Sequence, residues 1–368
     1  MTNVALGKRL RQLRIERGLS QHDLCAILGV KDRQTVSAVE TGSRRLSAQE
    51  LLRVIEQLGV SFDFFNDPFQ LVGEGEFSWR CHSDAKHNLR ECEHSARTWI
   101  AIYRTLAGQV GHKPSFIRAS LGITSESTCE DAMEAGEQFV QRFELGEYPS
   151  FRLVQSMEQD LDILVLMIET LEGISSATCR LPDLTTVLVS RNESTHQRSL
   201  ELANQLFHLL TWDSISPNHI VEPQEYGGRQ AQRLSNSFVG ALLMPVETLQ
   251  RYKGWSVLTV DELKSRISSV ASEFQVTSPA LVWRLVALGH LKQSVARRLS
   301  PSIGDAGVRN STTHMRPRLF SNRFVDLLGK AMDSGVISAR LAASLLNMTL
   351  EDLDELFVDH ELSYRVAL

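Results

Sequence analysis

No stretch of the 368-residue sequence is apolar for long enough to cross a membrane. The longest clean run, Ile163 to Ile168, falls far short of the roughly 18 residues that a span needs. The N-terminus is polar and basic and lacks a signal-peptide core, so a cytoplasmic protein without a membrane partner is expected. Cysteine is sparse. The five thiols (Cys25, Cys81, Cys92, Cys129, Cys179) share no repeated short spacing and are odd in number, which argues against a stapled secreted framework and for reduced thiols. Ten prolines and 22 glycines are too few for a collagen-like or low-complexity chain. With 42% hydrophobic and 23% charged residues the balance is globular, and the length allows two or three domains. Charge is uneven: residues 1–60 hold ten Lys/Arg against six Asp/Glu, a net +4, whereas the whole chain is −5 and the remainder therefore −9. A basic head on an acidic body points to a nucleic-acid partner for one end only.

Leucine and isoleucine recur at helical spacing from Leu6 to Leu58, interrupted at Gly18, Gly29 and Gly42, which predicts a compact head of short helices over residues 1–68. Turn signals at Asp67-Pro68 and Gly73-Glu74-Gly75 mark its exit, and residues 69–119 are expected to be a helical linker. Residues 120–291 form a middle domain. There the runs Ile163–Ile168 and Leu184–Val189, separated by Gly173, Ser175 and Pro182, predict two or three strands, followed by helices from about Gln197 to Trp212 and from about Gln230 to Pro245. Residues 292–323 carry seven Lys/Arg against one acid and are expected to be a basic linker able to touch DNA backbone. Residues 324–368 are expected to form a C-terminal helical module. The fold class is thus mainly α with a small α+β middle domain.

In the head, Ser20 is placed to cap a helix that Leu28-Gly29-Val30 closes, and a second helix begins near Asp32, giving a helix, tight turn and helix. Arg33, Gln34 and Thr35 at the front of that second helix, with Ser37 one turn on, are the candidate base readers, because arginine and glutamine make paired hydrogen bonds to guanine and adenine edges. Arg44 and Arg45, with Gln21, Lys8 and Arg9, suit phosphate oxygens. The segments LRIERGL (13–19), SQHDLCAILGV (20–30), TVSAVETG (35–42) and LLRVIEQLGVS (51–61) resemble the helix-turn-helix family of phage-repressor and Cro (XRE) type, with one extra residue before the second helix. The resemblance implies a double-stranded DNA operator and a homodimer on paired half-sites.

In the middle domain, RSLELANQLFHLLTW (198–212) and QRLSNSFVGALLMP (232–245) resemble the ImmA/IrrE metallopeptidases, whose zincin-like body carries His-Glu-x-x-His and is often fused to such a head. Carried over by position, the resemblance sets Asn204 on the first histidine ligand, Gln205 on the general base, His208 on the second ligand and Gln232 on the third, acidic ligand. Only His208 is retained. Carboxamides are weak metal ligands and glutamine has no basic pKa, so the expectation is a pseudo-peptidase with no catalytic residues, no metal and no cofactor. Asn204, Gln205, His208 and Gln232 are then expected to line a pocket for a small-molecule or protein effector. Two other readings stay open: an active zinc peptidase that cleaves a partner repressor, and an antitoxin-like autorepressor that binds a partner protein. Cys81, His82, His87, Cys92 and His94 also cluster, but in no spacing typical of zinc. Trp79 is expected to be a packing anchor. The C-terminal GVISARLAASLLNMTLEDL (335–353) resembles a small helix-turn-helix module, with helical packing an equal reading.

Overall fold

The computed structural model describes residues 3–111, 119–221, 228–255, 258–299 and 316–364. The head is five helices: α1 (Asn3–Glu16), α2 (Gln21–Leu28), α3 (Arg33–Glu40), α4 (Ala48–Leu58) and α5 (Phe62–Asn66). Their starts are chemically specified. Ser20 and Ser47 form capping boxes with Asp23 and Glu50, and Asp32 accepts the Thr35 amide at 2.7 Å. The core is a single layer of Leu10, Leu13, Leu24, Leu28, Val36, Val39 and Val54, closed by Phe65. Gly7 lets α1 lie directly on the end of α3, since a Cβ there would stand 2.2 Å from the Val39 carbonyl oxygen.

The head leaves through residues 67–75, a strap gripped from both sides. From α1, Arg9 donates to the carbonyls of Phe64, Asp67 and Gln70, each at 2.7 Å. From the body, Thr105 donates to the Pro68 carbonyl, Arg97 to the Glu74 carbonyl, and Arg104 pairs with the Glu74 carboxylate. Gly73 sits with φ +63 against α1, where a Cβ would lie 2.9 Å from Gln12 Cβ and 3.3 Å from the Lys8 carbonyl.

The strap runs straight into strand β1 (Glu76–Cys81), which pairs antiparallel with β3 (Ile174–Arg180) and parallel with β5 (Ile220–Val221). With β2 (Ile163–Ile168) and β4 (Thr185–Ser190) these make a mixed sheet in the order β2-β4-β3-β1-β5. Within the expected helical linker over 69–119, residues 89–109 are helical, but residues 76–81 differ: alternate residues Phe77, Trp79 and Cys81 are buried on one face and this stretch is an inner strand. Trp79 is a packing anchor as expected, fully buried.

Both faces of the sheet are covered, which is why Ile163–Ile168 reads as an unbroken apolar run. Ile163, Val165, Val187 and Val189 face a large helical layer. It contains α7 (Cys129–Arg142), α8 (Leu153–Gln159), α9 (Thr195–Leu210), α10 (Gly228–Leu243), α11 (Val246–Leu249), α12 (Val260–Glu273), α13 (Ser278–Ala287) and α14 (Gln293–Leu299). Leu164, Leu166, Ile168 and Leu188 face the other layer, made of α6 (Leu89–Gln109) with α15 (Asn322–Asp333), α16 (Ala339–Leu346) and α17 (Leu350–Asp359). The C-terminal helices are therefore half of the body's second layer, with Phe324 and Phe357 in its core, rather than a separate module. The basic segment before them is also built in. Arg316 pairs with Glu169, Arg318 with Glu361 and Arg323 with Asp162, so these cations are spent on the body. Residues 300–315 of the expected linker lie outside the described residues. Among the described residues no helix is long and apolar enough to cross a membrane.

Candidate functional site

The outward stripe of α3 is Gln34, Ser37, Ala38 and Thr41, while Val36, Val39 and Glu40 point inward. Arg33 and Gln34 are exposed at the helix front, and Thr35 turns its hydroxyl to the Asp32 carboxylate at 3.2 Å. The amide of Thr35 holds that carboxyl below the ordinary aspartate range, so the cap stays charged and formed. Arg45 is exposed beside this face, whereas Arg44 pairs with Glu50 at 2.8 Å. Gln21 donates its amide to Glu40, whose other oxygen takes Arg14 at 2.6 Å; this trio, centred on the buried Glu40, ties α1, α2 and α3 together. Arg9 departs from expectation. It is 4% exposed and its two terminal guanidinium nitrogens donate to three carbonyls, so it anchors the strap and has no reach to a phosphate.

In the body, α9 carries its own polar stripe, Gln197, Glu201, Asn204, Gln205 and His208, on a helix that is mainly apolar after Leu200. The stripe is buried against the sheet. There β1 and β3 present Arg80 opposite Ser176 and Ser78 opposite Thr178, four polar side chains on the face that packs under α9. Glu201, 1% exposed, is the centre: it accepts from Arg80 at 3.2 Å, from Ser176 at 2.7 Å and from Gln197 at 2.8 Å. Gln205 donates to the Ser176 hydroxyl at 2.6 Å, extending the chain. Asn204 donates to the Leu200 carbonyl and accepts from Ser235 at 2.7 Å. Burial, with a smaller push from the Arg80 charge, drives His208 down to about 3, so its imidazole is neutral at physiological pH.

The zinc that a His-Glu-x-x-His frame implies does not fit these residues. The two carboxamides are committed to internal partners, Gln205 cannot take a proton from water, and only one imidazole stands at the carried-over positions. Among the described residues no three His, Cys, Asp or Glu side chains gather to hold a metal, the Cys81–His94 cluster included. Nor do the four expected pocket residues share one wall. Asn204 reaches the surface cleft described below, Gln205 and His208 are buried behind it, and Gln232 is half-buried on α10 outside that lining.

Arg80, Ser176 and Glu201 are the central members that pattern reading missed as a site. The alternation in Glu76-Phe77-Ser78-Trp79-Arg80-Cys81 was a signal for β1, but the pairing that brings Arg80 to Ser176 is visible only in the sheet register. No curated protein and no solved structure matches the chain. The helix-turn-helix family model matches residues 10–65, the span of the capped α2–α3 pair and its supports. The N-terminal head is a helix-turn-helix DNA-binding domain of repressor type.

Proposed function

We propose that the chain is a transcriptional repressor that binds a pseudo-palindromic operator as a homodimer, and that its body is an ImmA/IrrE-type pseudo-peptidase that senses an effector instead of cleaving peptides. The observation that carries the first half is the exposed Arg33–Gln34 front of α3 on a head that matches a DNA-binding family over residues 10–65. The second half is supported by the amides at 204 and 205, which make internal hydrogen bonds where an enzyme would present metal ligands and a base. One head offers few base contacts, and pairing half-sites supplies the remaining affinity. An effector releases DNA only if it binds more tightly to the arrangement of heads that does not fit the operator.

Operator selection from random duplexes, followed by titrations on selected and random DNA, tests the reading. Gln34→Ala is expected to lower affinity for the selected site by about 1–3 kcal/mol and to leave random DNA unchanged. Arg45→Ala is expected to weaken both. Equal losses on both DNAs for both variants would overturn the assignment of readers. Stoichiometric zinc in the purified chain, with peptide cleavage that a chelator abolishes, would overturn the pseudo-peptidase half.

A further inference from the structure

Where α9, α10 and α13 meet, the interior polar layer comes to the surface in a cleft of about 390 Å³, inside the roughly 300–1,000 Å³ range of small-molecule sites. One wall is polar: Arg80 from β1 flanked by Gln197 and Asn204 of α9. The rest of the lining is mainly apolar, with Leu200, Val239, Met244 and Trp283, 44% exposed, and with Asn236 and Ser237 of α10 as further neutral polar groups. The charges on the lining are of one sign. Arg80 and Arg284 belong to it, while Glu201 and Glu137, the acids that balance them, stand behind the guanidinium groups and outside the lining. Such a wall repels a cation and favours a compact anion, provided that the rest of the ligand covers the apolar side.

We propose that this cleft binds a small monocarboxylate with an apolar, ring-bearing body, the carboxylate at Arg80 between the amides of Gln197 and Asn204 and the ring between Val239, Met244 and Trp283. The inference deepens the sensor reading above and rests on it for its regulatory meaning. Arg80 lies in β1, the strand that continues directly from the strap holding the head, so a ligand that draws on Arg80 acts on the strand to which the DNA-binding domain is fastened.

The experiment uses the full chain and three probes of one size and differing charge: benzoate, benzamide and benzylammonium. Binding is followed by ligand-observed NMR and by Trp283 emission. Benzoate is expected to bind at least tenfold more tightly than benzamide, and benzylammonium not at all. Ala280→Trp fills the cleft from α13 and removes none of the groups of the polar network, and is expected to abolish benzoate binding while operator affinity stays within twofold. The double variant Arg80→Gln/Glu201→Gln, which removes both buried charges together, is expected to bring benzoate to the level of benzamide. Equal binding of benzoate and benzylammonium, or undiminished benzoate binding by folded Ala280→Trp protein, overturns the proposal. Operator titration of the same samples separates the two readings. A chain that binds operator and ignores benzoate refutes the cleft alone, and one that binds benzoate but no DNA refutes the regulator.

Discussion

Helices α3 and α9 each carry a stripe of polar residues at helical spacing, and the fold uses the two stripes in opposite ways. The α3 stripe faces solvent, with Arg33 and Gln34 exposed. The α9 stripe is buried inside the body, where Glu201 and Gln205 meet Arg80 and Ser176 of the sheet and Asn204 meets Ser235 of α10. A polar stripe recognises an outside molecule only where the fold brings it to the surface. In the body that happens at the rim of the network, where Asn204, Gln197 and Arg80 line the cleft.

The largest way to break this contrast is Glu201→Ala. It leaves Arg80, 13% exposed, without its carboxylate, and is expected to cost about 3–5 kcal/mol in denaturant unfolding. A loss below about 1 kcal/mol would mean that the α9 stripe is not the interior fastening described above. Next comes Arg9→Met. Losing three charge-assisted bonds to carbonyls is expected to destabilise the head by about 3 kcal/mol, yet to leave the salt dependence of DNA binding unchanged. Arg45→Ala should do the reverse, keeping stability while reducing the slope of log K against log salt by about 1. A shallower slope for Arg9→Met would return it to the phosphate contacts.

The smallest effect concerns β5. His219 contacts Glu93 at 2.9 Å, and its own carbonyl accepts the Trp79 amide at 2.8 Å. Burial raises Glu93, but hydrogen bonds from His219 and Arg97 outweigh it and hold the carboxyl at about 2. The bond to Glu93 in turn raises His219 above its ordinary 6.5. A raised histidine stabilises below its ordinary value and loses that contribution as pH rises through its folded value. A depressed carboxyl stabilises above its ordinary 4.5 and loses it toward about 2. The latch is thus strongest near pH 5–6. Because His219 is largely exposed, His219→Gln should remove at most about 2 °C of the fall in melting temperature between pH 6 and 8.

How much of this was legible in the sequence follows from how far each signal reaches. The head's caps at Ser20 and Asp32 and its stop at Gly29 act within four residues of chain, and α2 and α3 begin and end where those residues say. Arg9 counts as a basic residue by composition, yet it falls in the Leu6, Leu10, Leu13 stripe and so on the core side of α1, which composition does not show. In the body, β1 announced itself by alternation, but the turn signals at Gly73-Glu74-Gly75 and the helix that follows drew it into a linker. The seating of α15–α17 on the sheet face beside α6 carries no local signal at all: Phe320, whose amide donates to the Met167 carbonyl, and Phe324 meet partners more than a hundred residues away in sequence.

The grip on the strap has a consequence for the operator itself. Heads on slack tethers bind half-sites at many separations, because each finds its own groove. A head clamped by Arg9 and pressed home at Gly73 is a fixed fitting, so the proposed dimer is expected to accept only separations that bring both grooves to the same side of the duplex, at about 10–10.5 base pairs or multiples of it. The length of the gap between half-sites then becomes a ruler: affinity that falls and recovers with each helical turn of inserted DNA measures how stiff the backbone at 67–75 is.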